Sequence, residues 1–136
     1  MDKLMLEIVT PRGSAFSGEV DEVVLAKGGE GDFGVLSGHA PLLTTLKIGA
    51  FVTKTDGKPE YYFVGSGFAE VSQTGMVVLA DSAERADDID VQRAMAAKQR
   101  AEERMAKKDD SDFVRAQSAL ERATTRITIA EEHGHK

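Results

Sequence analysis

The residues of this sequence whose types and spacing could do chemistry are one glycine-rich stretch and two sets of arginines. In "GEGDFGVLSGHAPLL", Gly29, Gly31 and Gly34 spell G-x-G-x-x-G. A phosphate loop of that form needs a helix directly after the turn, so that free backbone N–H groups meet the phosphates. Here Val35, Leu36, Ser37, Gly38, His39, Ala40 and Pro41 mix β-branched, loop and helix-breaking residues, and the carboxylates of Glu30 and Asp32 would repel a pyrophosphate. The stretch reads as a glycine-rich connection between strands. The arginines have a repeated pattern: Arg93, Arg100 and Arg104 are separated by seven and four residues, and Arg115, Arg122 and Arg126 repeat those intervals. Each trio therefore shares one face of a helix. Such a face is either a solvated flank paired with Glu102, Glu103 and Glu121, or a seam of guanidinium groups for an anionic ligand such as a triphosphate.

Other candidates for chemistry are weaker. His39 and Ser37 sit two apart in a loop with no orienting acid, so a turn or interface role suits His39 better than hydrolysis. His133 and His135 near Glu131 and Glu132 form a terminal tail rather than a closed metal site. No paired carboxylates, nucleophile elbow or P-loop stand out, and the reading assigns no catalytic residue, no metal site and no required cofactor.

The elements that must position these residues fall into two composition regimes. The chain has 136 residues, enough for one domain of ordinary size or a small one with an appendage, and no cysteine, so its core must suffice without a disulfide framework. Its net charge of -6 argues against a nucleic-acid binder. No apolar run approaches the roughly 20 residues that cross a bilayer, and acids interrupt the first ten, unlike a secretory leader. All three prolines and every glycine except Gly134 precede residue 76, whereas alanine, arginine, lysine and acids dominate after Asp87. This shift divides the chain into residues 1–86 and 87–136.

In the first part, "LMLEIVT", "EVDEVVLA", "FGVL", "LLTTLKIGAFVTKT", "EYYFVG", "GFAEVS" and "GMVVLA" read as short strands between turn signals. "TDGK" carries an Asp-Gly hairpin signal. The spacing predicts a β-sandwich or small barrel, with no helical period to make parallel crossovers. In the second part, Phe113, Ala116, Leu120, Ala123, Ile127 and Ala130 alternate steps of three and four on one helical seam, and Val91, Ala94, Ala97, Ala101 and Met105 form another. "KKDDSD" offers the turn between them, with Asp110, Ser111 or Asp112 as cap of the second helix. The expected fold is thus mainly β plus α: an N-terminal β-sandwich followed by a C-terminal antiparallel two-helix hairpin, the latter of marginal stability because alanine buries little area.

Three blocks, "IVTPRGSAFSGEVDEVVL", "GDFGVLSGHAPLLTTLKIG" and "LADSAERADDIDVQRAMAAKQRAEER", resemble the epsilon subunits of bacterial F-type ATP synthases over essentially the whole chain. "GHAPLL" occupies the same place in that family's β-domain, and "IDVQRA" fits its I/L-D-x-x-R-A motif. Ser37 departs from the family in replacing a proline often found before the Gly-His pair. The resemblance implies a non-catalytic rotor subunit at the cytoplasmic face of the bacterial plasma membrane. Its sandwich would bind the gamma subunit and sit on the c-ring, and its hairpin would fold back or extend toward the alpha/beta catalytic head to inhibit ATP hydrolysis. By position, Glu30, Asp32 and His39 would lie on one foot loop near gamma and the c-ring. Some family members hold ATP as a regulatory ligand through the motif, here Ile89, Asp90, Arg93 and Ala94, and Glu84, Arg100, Arg115, Arg122 and Arg126 match accompanying positions. From the residues alone, a free-standing β-sandwich adaptor with a nucleotide-sensing hairpin is the alternative.

Overall fold

The computed structural model describes residues 3–26, 32–36, 38, 41–107 and 110–134. It divides into two units, Met1–Arg85 and Ala86–Lys136.

The first unit begins with β1 (Leu4–Thr10), where strict alternation buries Leu4, Leu6 and Ile8 and exposes Met5 and Glu7. Thr10 closes the turn that follows: its hydroxyl donates to the Gly13 carbonyl at 3.1 Å and accepts from the Arg12 N–H at 3.2 Å. The chain continues through β2 (Gly13–Val20), β3 (Glu22–Ala26), β4 (Asp32–Leu36), β5 (Leu42–Leu46), β6 (Gly49–Thr55), β7 (Lys58–Val64), β8 (Gly67–Val71), β9 (Gly75–Ala80) and β10 (Ala83–Arg85). Two five-stranded sheets result, in the orders β2-β1-β9-β8-β5 and β10-β7-β6-β3-β4. The core between them holds Leu4, Leu6, Ile8, Val20, Met76 and Val78 from the first sheet and Val23, Val35, Phe51 and Tyr62 from the second. This is the expected β-sandwich, reached by a partly different route.

Two strands escape the sequence reading. β2 carries glycine and serine among its residues, which obscures its alternation, and β10 is three residues long. The apolar run from Leu42 to Thr55 breaks at Lys47 and Ile48, because the chain there passes from one sheet to the other. β1 and β9 pair in parallel without any intervening helix. The crossover joining them is built from the other strands, with no helical period in it, as the sequence reading has it.

The Asp-Gly signal is realised between β6 and β7. Thr55 pairs with Lys58, and both central residues have positive φ, 53° at Asp56 and 78° at Gly57, the geometry of a type I′ turn. Asp21, at the corner between β2 and β3, holds this turn: its carboxylate accepts the Asp56 N–H at 2.6 Å and the Lys3 ammonium at 2.7 Å. Lys3 also lies 3.5 Å from the Asp56 carboxylate. At the opposite end, β7 and β9 run into β8 and β10 through paired connections, with Gly65 N–H donating to Ser82 O at 2.9 Å and Asp81 N–H to Ser66 O at 2.9 Å. Gly67 is required there by close approach, since a Cβ would collide with the Leu79 carbonyl oxygen.

The second unit opens with a 3-10 turn at Ala86–Asp88, then α1 (Val91–Ala106) and α2 (Asp110–His133), which pack on one another as a hairpin. Ala94 and Ala101 are buried on α1, and Ala116 and Ala123 on α2. The seam differs from expectation at its ends: Phe113 is 39% exposed, and Ile129, which lies off the periodic stripe, is buried. Asp110, Ser111 and Asp112 fall inside α2, so none of them is its N-cap.

Two outcomes follow from the sandwich. Gly67→Ala should lower its stability by about 1–3 kcal/mol, the range for forced overpacking, and an unchanged denaturant midpoint would contradict the close approach. The Lys3 ammonium and the Asp56 N–H lower the Asp21 carboxyl below its ordinary value of 3.8. A carboxyl depressed in the folded state adds stability that is complete above its unfolded value and is lost as pH falls through the folded one. Conversely, Asp21 raises Lys3 above 10.5, so that contribution is complete below this value and is lost as pH rises through the raised one. In NMR titrations, Lys3→Ala should return the Asp21 carboxyl toward the ordinary range, and a titration unmoved by the substitution would refute the pairing.

Candidate functional site

The start of α1 is the best-defined polar feature on the helices. Asp90 has the extended backbone of an N-cap, with φ -82° and ψ 96°, and its carboxylate accepts the Arg93 N–H at 3.0 Å. That bond satisfies one of the otherwise free N–H groups of the first turn. Ile89, before the cap, and Ala94, one turn in, are buried, while the Arg93 side chain is exposed. The motif positions thus divide into an apolar anchor, a cap and an outward cation.

Helical phase brings the two arginine trios together. Arg93 and Arg100 each precede a buried alanine of α1 by one residue, and Arg115 and Arg122 do the same on α2; Arg104 and Arg126 follow Ala101 and Ala123 by three. At about 100° per residue, every one of them lies about 60–100° to the same rotational side of its seam. The helices run in opposite directions, so that side is one shared flank of the hairpin. Counting outward from the connection, Ala101 meets Ala116 and Ala94 meets Ala123, which sets Arg93 beside Arg122 and Arg126, and Arg100 beside Arg104 and Arg115. Arg93, Arg100, Arg104 and Arg115 are exposed, and Arg122 and Arg126 are half-buried. Among the described residues, Arg93, Arg100, Arg104, Arg115 and Arg122 form no ion pair within 4.0 Å, so the pairing with Glu102, Glu103 and Glu121 that one of the two sequence readings offered is not made. Glu84 belongs to the other unit, on β10 opposite Phe63.

The stretch from Gly29 to Leu43 is not one loop. β4 occupies Asp32–Leu36 and pairs with β3 from Ala26↔Asp32 to Glu22↔Leu36. A strand, not a helix, therefore follows Gly31 and takes in Gly34, which removes the context of a phosphate loop. Glu30 and His39 lie outside the described residues. Asp32 starts β4 and His39 comes after its other end in the chain, which corrects the single foot loop. Among the described residues no group of three or more His, Cys, Asp or Glu side chains could hold a metal, and no helix is long and apolar enough to cross a membrane.

Sequence reasoning missed an apolar surface on the first sheet. Met5, Leu43, Phe68, Val77 and Leu79 are exposed by 50%, 69%, 53%, 39% and 53%. The registers put them on one face: Val9, Leu79, Phe68 and Thr45 form one row across β1, β9, β8 and β5, and Glu7, Val77, Glu70 and Leu43 form the next. A soluble face would normally alternate to polar residues here. The signal was present in "GMVVLA", a strand that is apolar on both sides and therefore reads as covered on both.

Comparison with known proteins places this geometry in a family. Residues 3–86 match the family model "ATP synthase, Delta/Epsilon chain, beta-sandwich domain", and residues 87–131 match "ATP synthase, Delta/Epsilon chain, long alpha-helix domain". The ATP synthase epsilon chain of Thermodesulfovibrio yellowstonii is 50% identical over 106 residues, covering 78% of this chain and 75% of that one. That of Dehalococcoides mccartyi is 54% identical over 109 residues, covering 79% and 76%. In fold, the chain resembles one in the OSCP/F1/c-ring structure of Euglena gracilis mitochondrial ATP synthase, with a TM-score of 0.79 at 21% identity over 98% of this chain and 83% of that one. The chain belongs to the ATP synthase delta/epsilon family and, within it, to the bacterial epsilon chains.

Proposed function

We propose that this protein is a non-catalytic subunit of the rotor. Its sandwich docks on the gamma subunit and c-ring at the cytoplasmic face of the membrane, and its hairpin regulates hydrolysis at the alpha/beta head. The observation that carries the docking half is the apolar outer face around Phe68, Val77 and Leu79. An exposed apolar patch edged by Glu7 and Thr45, with Glu70 among its apolar residues, is the usual form of a protein interface, and burial of that face offsets the cost of association. Glu30, Asp32 and His39 are retained as candidate contacts to gamma or the c-ring.

The regulatory half rests on the arginine flank. ATP is the ligand proposed for it, with Ile89, Asp90, Arg93 and Ala94 at the start of α1, Arg100, Arg115, Arg122 and Arg126 along the flank, and Glu84 as an accompanying residue. Arg93, Arg100, Arg104, Arg115 and Arg122, which form no ion pair among the described residues, repel one another until an anion neutralises them, and guanidinium matches phosphate oxygens in pairs. Binding that requires both helices to be packed stabilises the hairpin by mass action, by about 1.4 kcal/mol at ten times the dissociation constant. An alanine seam of low burial is sensitive to an increment of that size.

Leu79→Asp in the full chain should weaken one-to-one association with gamma at least about tenfold, as loss of a central apolar contact does, while stability changes by no more than about 0.5 kcal/mol. Equal affinity for gamma would refute docking through this face. For the hairpin, Asp90→Ala should cost about 1 kcal/mol of helix stability through the lost cap and weaken ATP binding in calorimetry. Arg122→Ala should weaken ATP binding without loss of helix, because alanine is the better helix former. No binding at millimolar ATP, or full affinity in Arg122→Ala, would refute the ATP reading of the arginines.

A further inference from the structure

The arginine flank is longer than a triphosphate needs. With Ala101 against Ala116 and Ala94 against Ala123, the order along the hairpin axis is Arg126, Arg93, Arg122, then Arg100, Arg115, Arg104. From Arg126 to Arg104 is about thirteen residue steps of about 1.5 Å, roughly 20 Å in all. The six form two clusters of three, and the space between them is floored by Ala97 and Ala119, whose phase puts both on the same flank. No bulky side chain interrupts the line from one cluster to the other, and the acids nearest it in phase are Asp90 and Asp112, four residues before Ala94 and Ala116 and beyond the two ends of the line. A nucleotide seated at Arg93, Arg122 and Arg126 and reaching Arg100 and Arg115 leaves Arg104 uncovered at the end near the connection.

We propose that this flank is a track for a linear inorganic polyphosphate, whose chain spans both clusters and holds the two helices together as one ligand. The proposal rests on the same flank as the ATP reading but not on ATP itself. A polyphosphate is unbranched, carries its charge at every repeat and has no bulky substituent, which suits a narrow line of cations above a floor of methyl groups. Single-stranded nucleic acid suits it less, because sequence-independent binding of that kind uses aromatic platforms for the bases. The helical unit has one aromatic residue, Phe113, and its phase puts it on the other side of the seam. A ligand touching six guanidinium groups on two helices also releases more counterions than a triphosphate does, so its affinity falls more steeply with salt.

The test is calorimetry on the isolated full chain with tripolyphosphate, a longer linear polyphosphate, ATP, and a single-stranded oligonucleotide of matched charge, repeated on Arg104→Ala. Arg104 is exposed and outside the residues assigned to ATP. The long chain should bind at least tenfold more tightly than tripolyphosphate and with the steeper salt dependence. Arg104→Ala should remove most of that gain and leave the ATP affinity unchanged. A gain that is absent, or that survives in Arg104→Ala, overturns the track, as does an oligonucleotide that binds as tightly as the polyphosphate, which would mark a general polyanion surface. If the gain is absent while ATP binds in an Arg122-dependent way, the polyphosphate proposal fails and the ATP reading stands. If the Arg104-dependent gain is present and ATP does not bind, the reverse holds.

Discussion

The edge-on packing of Tyr62 against Phe16 joins the two sheets, and Phe51 packs edge-on against the same ring from within its own sheet. Tyr62 and Phe51 come from neighbouring strands of one sheet and Phe16 from the edge strand of the other, with ring centroids 6.2 and 6.3 Å apart. Such contacts add to the area that the rings bury, and both Tyr62 and Phe51 are only 1% exposed. A chain without cysteine has no covalent brace to share this task. The connections follow from the need to keep both inner faces apolar. The chain changes sheet at Asp21, between Leu36 and Leu42, at Lys47 and Ile48, and again beyond Val64 and Ala80, and the parallel pairing of β1 with β9 is the outcome of those crossings.

The helical unit works by the opposite logic. Its contact is made by alanines seven residues apart on each helix, which allow close approach but bury little. The same spacing governs the charges. An arginine one residue before each buried alanine, on two antiparallel right-handed helices, must emerge on a single flank. Close approach and convergent positive charge therefore come from one pattern, which a leucine seam with scattered charges would not supply.

Much of this was legible in the sequence, for physical reasons. The Asp56-Gly57 turn has the residues that tolerate two positive φ values, the alternation of "LMLEIVT" fixes which side of β1 is core, and seven-residue alanine spacing fixes the helical seam. Other features depend on pairing, which no local pattern contains. Gly13–Val20 is a strand because Leu4–Thr10 lies beside it, not because its glycines and serines favour one. The division of Gly29 to Leu43 by β4 required knowing its partner β3. The outer apolar face appears only when Leu43, Phe68 and Leu79 are set in register, and the union of the two arginine trios requires the direction of the second helix as well as its period. The burial of Ile129, off the stripe, has no counterpart in the periodicity.

In the proposed function, attachment belongs to the sandwich and regulation to the helices, and one truncation separates the two. Removing residues 88–136 and reconstituting the remainder with gamma and the rest of the ATP synthase should leave gamma binding at its full-length strength and raise the rate of ATP hydrolysis by the assembled enzyme. Loss of gamma binding by the truncated chain, or hydrolysis unchanged from that with the full chain, would contradict this division of labour.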